Sequence, residues 1–411
     1  MAKRMANVDN EKRNRDHTHQ YNHISSMQLL AVLLCFTAQA ATVLLILEQF
    51  PDIKRNSFAL VCIGIGSLLF FMFLARKLFQ RVLGTDRAAT IPVSAFFFTV
   101  TCWSACIDLI FTLSLLGITK LGRFYMYHGE EYFRTAYGVA CLGYDGTIHL
   151  LLQLYLAHTT LLGRRDIKQL FVGLLWAGSI INSMTPLLMG AATGAFSGNI
   201  KPSTALNAPY VLVPIAYAVS MFTKNENNNV KKQVGAKCMS FFDLVRILGH
   251  ICSILFHIIR CMVVLGSQAS VAHWWSVNFE PILDVSNKSS DKGYPDYGVV
   301  TVQILQNFFY MIPYHGACVA VIVLKKRLPN LSKLSVLMAG AHLNAQVVYV
   351  TIGSFRFIEF GDLQNLHPPS LFYVVNLGSL CFVLIDSIMC WTQTWECVNN
   401  SIHKDNKKQS E

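Results

Sequence analysis

The sequence predicts an all-α membrane protein, and three observations carry that prediction. First, hydrophobic residues make up 53% of the 411 and charged residues only 14%, against about 25% charged in a typical soluble domain. Second, apolar runs near the roughly 20 residues that a bilayer crossing needs recur ten times, near 27–47, 57–74, 91–118, 135–161, 168–190, 206–223, 241–265, 299–324, 331–352 and 371–391. Each run is apolar without alternation, which selects helices over a barrel. Third, most of the 34 Lys and Arg fall in the two tails and in alternate loops. This positive-inside pattern places both tails in the cytosol. The net charge of +11 is therefore topology, with some pull toward anionic lipid heads, and no nucleic-acid partner is expected.

Taken in order, a cytosolic tail (1–26) leads into two helices (27–74). The first resembles a signal peptide at Ala38–Ala40, but its apolar run continues to Leu47, which predicts an uncleaved signal-anchor. Four runs follow in 91–223, then the Asn/Lys-rich linker 224–240, four more runs in 241–391, and a short tail, 392–411. Tyr137-Gly138-Val139 and Tyr297-Gly298-Val299 each open the second run of their set. Both sets start from the cytosolic side, so they would be parallel repeats. Aromatic loops precede these openings, with Tyr125 and Tyr127 in one and Trp274 and Trp275 in the other. Such residues serve as interfacial anchors or as lids over a cavity. Most of the twelve cysteines sit within the runs and read as small apolar residues. Asn287-Lys288-Ser289 is a glycosylation sequon on the non-cytosolic side.

Polar residues inside the runs are the candidates for function, because a central acid costs about 2.5–3.5 kcal/mol to insert. Asp145, His149 and Gln153 are spaced four apart and share a helix face. In the 91–118 run, Thr101, Ser104, Asp108 and Thr112 form a second stripe. Arg246, His250, Ser253, His257 and Arg260 make one basic face in the 241–265 run, and Gln303, Gln306 and Asn307 follow in the next. The acids either line a site or pair with Arg246 or Arg260 to fix helix register. No run carries metal-ligand spacing, and no metal or other cofactor is expected; His17, His19 and His23 read as part of a polar tail.

Four stretches then stand in a telling order: "DLIFTLSLLGI" (Asp108–Ile118), "GEEYFRTAYG" (Gly129–Gly138), "YDGTIH" (Tyr144–His149) and "YVLVP" (Tyr210–Pro214). Together they resemble the transmembrane 6 superfamily, whose members carry two four-helix EXPERA domains. The resemblance implies two such bundles, 91–223 and 241–391, after the two leading helices. Glu131 and Tyr137 depart from the family pattern, where proline and histidine are expected. In related EXPERA proteins, the sterol Δ8–Δ7 isomerase and the sigma-2 receptor, two acids line a sterol or amine pocket, and Asp108 and Asp145 match them. Ser104 stands where the isomerase has a histidine, which argues against isomerase chemistry, since that needs a proton donor and an acceptor.

The resemblance therefore implies ligand binding by Asp108, Asp145, His149, Ser104 and Gln153. A second polar face would comprise Arg246, His250, His257, Arg260, Gln306 and Asn307. The implied partners are a sterol or neutral lipid and lipoprotein-assembly proteins. The implied setting is the endoplasmic reticulum, the ER–Golgi intermediate compartment or the lysosomal membrane. A sterol isomerase and a proton- or ion-coupled carrier are the alternatives.

Overall fold

The computed structural model describes residues 26–84, 89, 91–164, 166–193, 201–223, 240–280, 283, 297–324, 330–354 and 370–410. Among them the chain is helical, with no strand. Asn287 lies outside the described residues. The leading segment comprises α1 (Ser26–Glu48), the short α2 (Pro51–Arg55) and α3 (Ser57–Leu83). Asn56 starts α3 by accepting from the Phe58 and Ala59 amides, two donors that a helix start otherwise leaves unpaired. The first set of four is α4 (Val93–Leu115), a broken second helix, α8 (Ile167–Thr193) and α9 (Ala208–Thr223), with the short α5 (Arg123–His128) bridging the first two. The second set is α10 (Phe241–Val264), α12 (Tyr297–Leu324), α13 (Leu331–Ser354) and α14 (Ser370–Ser410), with α11 (Ser270–Asn278) in the place of α5. Ser240 and Asp243 close a reciprocal capping box at the start of α10.

Nine of the described helices are long and apolar enough to cross a membrane. The tenth apolar run, 135–161, is the broken helix. It consists of α6 (Ala136–Tyr144), a π turn (Asp145–His149) and α7 (Leu150–Leu161). Thr135 caps its start by accepting from the Gly138 amide at 3.0 Å. Wide turns of this kind recur at functional sites, and this one contains two of the residues singled out by polarity.

Glycine sets the closest helix approaches. A Cβ on Gly146, inside the π turn, would stand 2.5 Å from the Leu109 backbone, so only glycine lets the turn lie against α4 beside Asp108. A Cβ on Gly178 of α8 would meet the Leu337 carbonyl at 1.8 Å, and one on Gly340 of α13 the Leu175 carbonyl at 2.0 Å. These glycines bring α8 and α13 into the most extensive helix pairing of the molecule, as small residues do between membrane helices. The two sets thus share one core. A polar seam runs through it: Tyr137 donates to Gln303 Oε1 (2.7 Å) and the Asn182 amide donates to Asn344 Oδ1 (2.8 Å).

Candidate functional site

A cavity lies between the leading helices and the first set. Apolar side chains form most of its wall: Leu44 and Leu47 of α1, Leu60, Ile63 and Leu68 of α3, Phe111 of α4, and Ile180 and Met184 of α8. Its volume is about 160 Å³. Ser104, Asp108, Asp145, His149 and Gln153 all line it. The two stripes read from the sequence therefore converge on one space.

Each polar group has its own setting. His149 Nδ1 lies 2.5 Å from Asp145 Oδ1, so one turn of the same segment joins acid and base. The Ser179 hydroxyl touches His149 Nε2 at 2.7 Å and the Tyr144 hydroxyl at 3.0 Å, which fixes the ring's orientation. Gln153, with its amide nitrogen toward α4, donates to the Thr101 carbonyl (3.0 Å) and accepts from the Trp176 indole (3.3 Å). Ser104 bonds the Tyr210 hydroxyl and so ties α4 to α9. Asp108 is half-buried and lines the same cavity as Asp145 and Glu130. The Trp103 indole N–H is buried with no partner, while the Trp103 side chain lines the same cavity.

Glu130 was not legible as a site residue. It is 2% exposed and lines the cavity just beyond α5. Tyr125 donates to it at 2.5 Å, Tyr132 donates to the other oxygen, and the Asn207 amide donates at 3.0 Å. Burial pushes its carboxyl up, and these three hydrogen bonds oppose the shift. Its only sequence signal was an acid pair in an aromatic loop. That loop proves divided: Tyr125 turns inward to Glu130 while Tyr127 is exposed. Trp275 likewise turns inward and Trp274 outward.

The second polar face is built differently. Arg246 pairs with Asp386 at 2.7 Å and Arg260 with Glu280 at 3.1 Å. Arg260 also stacks over Phe256 and Tyr349. Neither arginine pairs with Asp108 or Asp145 through a described salt bridge. His250 and His257 join His315 and His342 in a buried group. Asn307 bonds Gln303 (3.2 Å) and Tyr310, whereas Gln306 Oε1 has no partner. Asp386, Glu280, His315 and His342 escaped the sequence reading, because each sits far along the chain from the residue it meets.

Helices of span length, a shared core and carboxylates facing an apolar cavity define a multi-pass membrane protein of the α class. A family model described as "Transmembrane 6 superfamily member 2-like, transmembrane domain" matches residues 39–232, the segment that contains the whole cavity. The chain is similar to human "Transmembrane 6 superfamily member 2", with 28% identity over 296 residues, 69% of this chain and 71% of the relative. It is also similar to the rat protein of that name, 28% identical over 316 residues, 72% of this chain and 76% of the relative. These matches support the resemblance to the transmembrane 6 superfamily. No solved structure matches it.

Proposed function

We propose that the cavity binds a sterol or neutral lipid, and that through this binding the chain regulates neutral-lipid and lipoprotein handling in membranes of the early secretory pathway. One observation carries the reading: Asp108, Asp145, His149, Ser104 and Gln153, chosen as polar anomalies, meet in one largely apolar space. A mostly apolar pocket with a few placed polar groups is how such ligands are held. The Trp103 indole, a buried donor without an acceptor, supports a ligand oxygen, because an unmet buried donor costs about 1–3 kcal/mol.

The same reading takes the two sets of four as EXPERA repeats with both termini cytosolic. It is supported by a matched pair of features. Glu130 follows α5 and accepts from Tyr125, five residues earlier, and from Asn207. Glu280 follows α11 and accepts from Trp275, five residues earlier, and from Asn376.

Photocrosslinking with a reactive sterol tests the binding. Wild-type chain in native membranes is expected to label, and an Asp108→Asn, Asp145→Asn double variant that reaches the membrane folded is expected to lose most of that signal. Equal labelling of the two would overturn the reading. The close His149–Asp145 pair beside Asp108 favours a second reading, sterol isomerisation, since it offers a proton donor and an acceptor. Growth of an isomerase-deficient yeast strain on this chain would support that chemistry, and failure at good expression would exclude it.

A further inference from the structure

The second set holds a buried cluster that the cavity does not use. His250 of α10, Cys318 of α12 and Asp386 of α14 bring one ligating atom each to within 4.8 Å of one another. All three are at most 2% exposed. Asp386 Oδ1 takes the Arg246 guanidinium at 2.7 Å. Its other oxygen, Oδ2, accepts from the Cys390 thiol at 3.7 Å and faces His250 Nε2 at 3.5 Å. That is long for a hydrogen bond, and His250 Nε2 has no hydrogen-bond partner.

The far side of the ring explains why this matters. His250 Nδ1 stands 3.0 Å from His315 Nδ1, so one of these two nitrogens carries a proton and the other accepts it. When His250 is the donor, its Nε2 presents a lone pair to a carboxylate. Two lone pairs at that distance repel in a buried site unless a cation lies between them. Ligands on a tetrahedral zinc, each about 2.0–2.2 Å from the metal, stand about 3.4 Å apart, close to the separation seen. The outer partners also fit. A ligating histidine usually donates its other N–H, and a ligating carboxylate is itself held by a hydrogen bond; His315 and Arg246 occupy those places.

We propose that His250, Cys318 and Asp386 form a zinc site that joins α10, α12 and α14 inside the membrane. Thiolate and imidazole select a borderline metal over magnesium or calcium, which take oxygen ligands. The site lies outside residues 39–232, the segment matched by the family model, and is independent of the lipid cavity.

The test uses the full chain purified in detergent and dialysed against buffer with trace zinc, followed by metal analysis. The expected result is one zinc per chain, and on cobalt substitution a sulfur-to-cobalt charge-transfer band. Folded Cys318→Ser and Asp386→Asn variants are expected to lose the metal, while His342→Gln, a buried histidine outside the cluster, keeps it. Zinc well below one per folded wild-type chain, or full zinc in both cluster variants, would overturn the proposal. If the variants do not fold, the cobalt spectrum of the wild type decides alone: absence of the charge-transfer band would exclude the thiolate ligand.

Discussion

Each half of the chain buries a glutamate just past a short aromatic helix, yet the two halves neutralise it differently. Glu130 receives only neutral donors, namely Tyr125, Tyr132 and Asn207. Glu280 faces Arg260. The first half has an aromatic where the second has that cation. Phe111 lies four residues before the end of α4, and Arg260 four residues before the end of α10. Phe111 stacks on Tyr125 at 5.3 Å and lines the cavity. The same contrast holds within the long helices, where Asp386 pairs with Arg246 while Asp145 pairs with His149 and Asp108 meets no arginine in a described salt bridge. The second half also has a cleft, lined by Gly249, Ser253, Phe256, Trp275 and Phe382, but its arginine-paired acids do not line it, whereas the acids of the first half face the cavity.

The largest way to break this contrast is to strand a buried acid. Arg260→Met leaves Glu280 without its cation and is expected to cost about 3–5 kcal/mol. The double change Arg260→Met, Glu280→Gln should recover much of that loss in detergent thermal unfolding. Asp108→Asn, in contrast, removes a carboxyl that meets no cation in a described salt bridge and is expected to leave stability equal or higher while lowering sterol labelling.

Next in size is Gly146→Val. Its side chain would drive into the Leu109 backbone. The expected loss is about 1–3 kcal/mol, with photolabelling abolished, because Asp145 can no longer sit beside α4. A sharper variant is Phe111→Arg, which gives the first half the cation of the second. It is expected to pair with Glu130, to lower stability by about 1–3 kcal/mol through the lost packing of a buried aromatic, and to reduce sterol labelling several-fold. Undiminished labelling would show that the missing cation is not what keeps the cavity available.

The smallest effect concerns pH. The Glu130 carboxyl is raised in the folded chain by burial. Its contribution to stability is therefore full below the ordinary value of about 4.5 and is lost as pH rises through the shifted value, with a slope of at most about 1.4 kcal/mol per pH unit. Wild type should lose stability relative to Glu130→Gln as pH is stepped upward from about 4.5 to the shifted value. Parallel profiles would show that Glu130 is not the titrating group.

Much of the site was legible because a membrane makes polarity conspicuous. Asp108 and Asp145 stood out against their apolar runs, and helical spacing put His149, Gln153 and Ser104 on the same faces. The tenth run was legible as a span by hydropathy but not as a broken helix. Nothing in "YDGTIH" announces a π turn, which depends on Gly146 meeting α4. Trp103 reads as one more apolar residue until its indole is found without an acceptor.

The sequence by itself determined the helical class, the number of apolar runs and the two acids of the first set, Asp108 and Asp145, because hydropathy and the 3.6-residue period are local properties. Only the tertiary structure decided which acids meet cations. Arg246 with Asp386, Arg260 with Glu280 and His250 with Cys318 are joined across different segments of the chain. Local patterns hold no record of such pairs, since a helix face shows what it offers and the fold alone chooses what it meets.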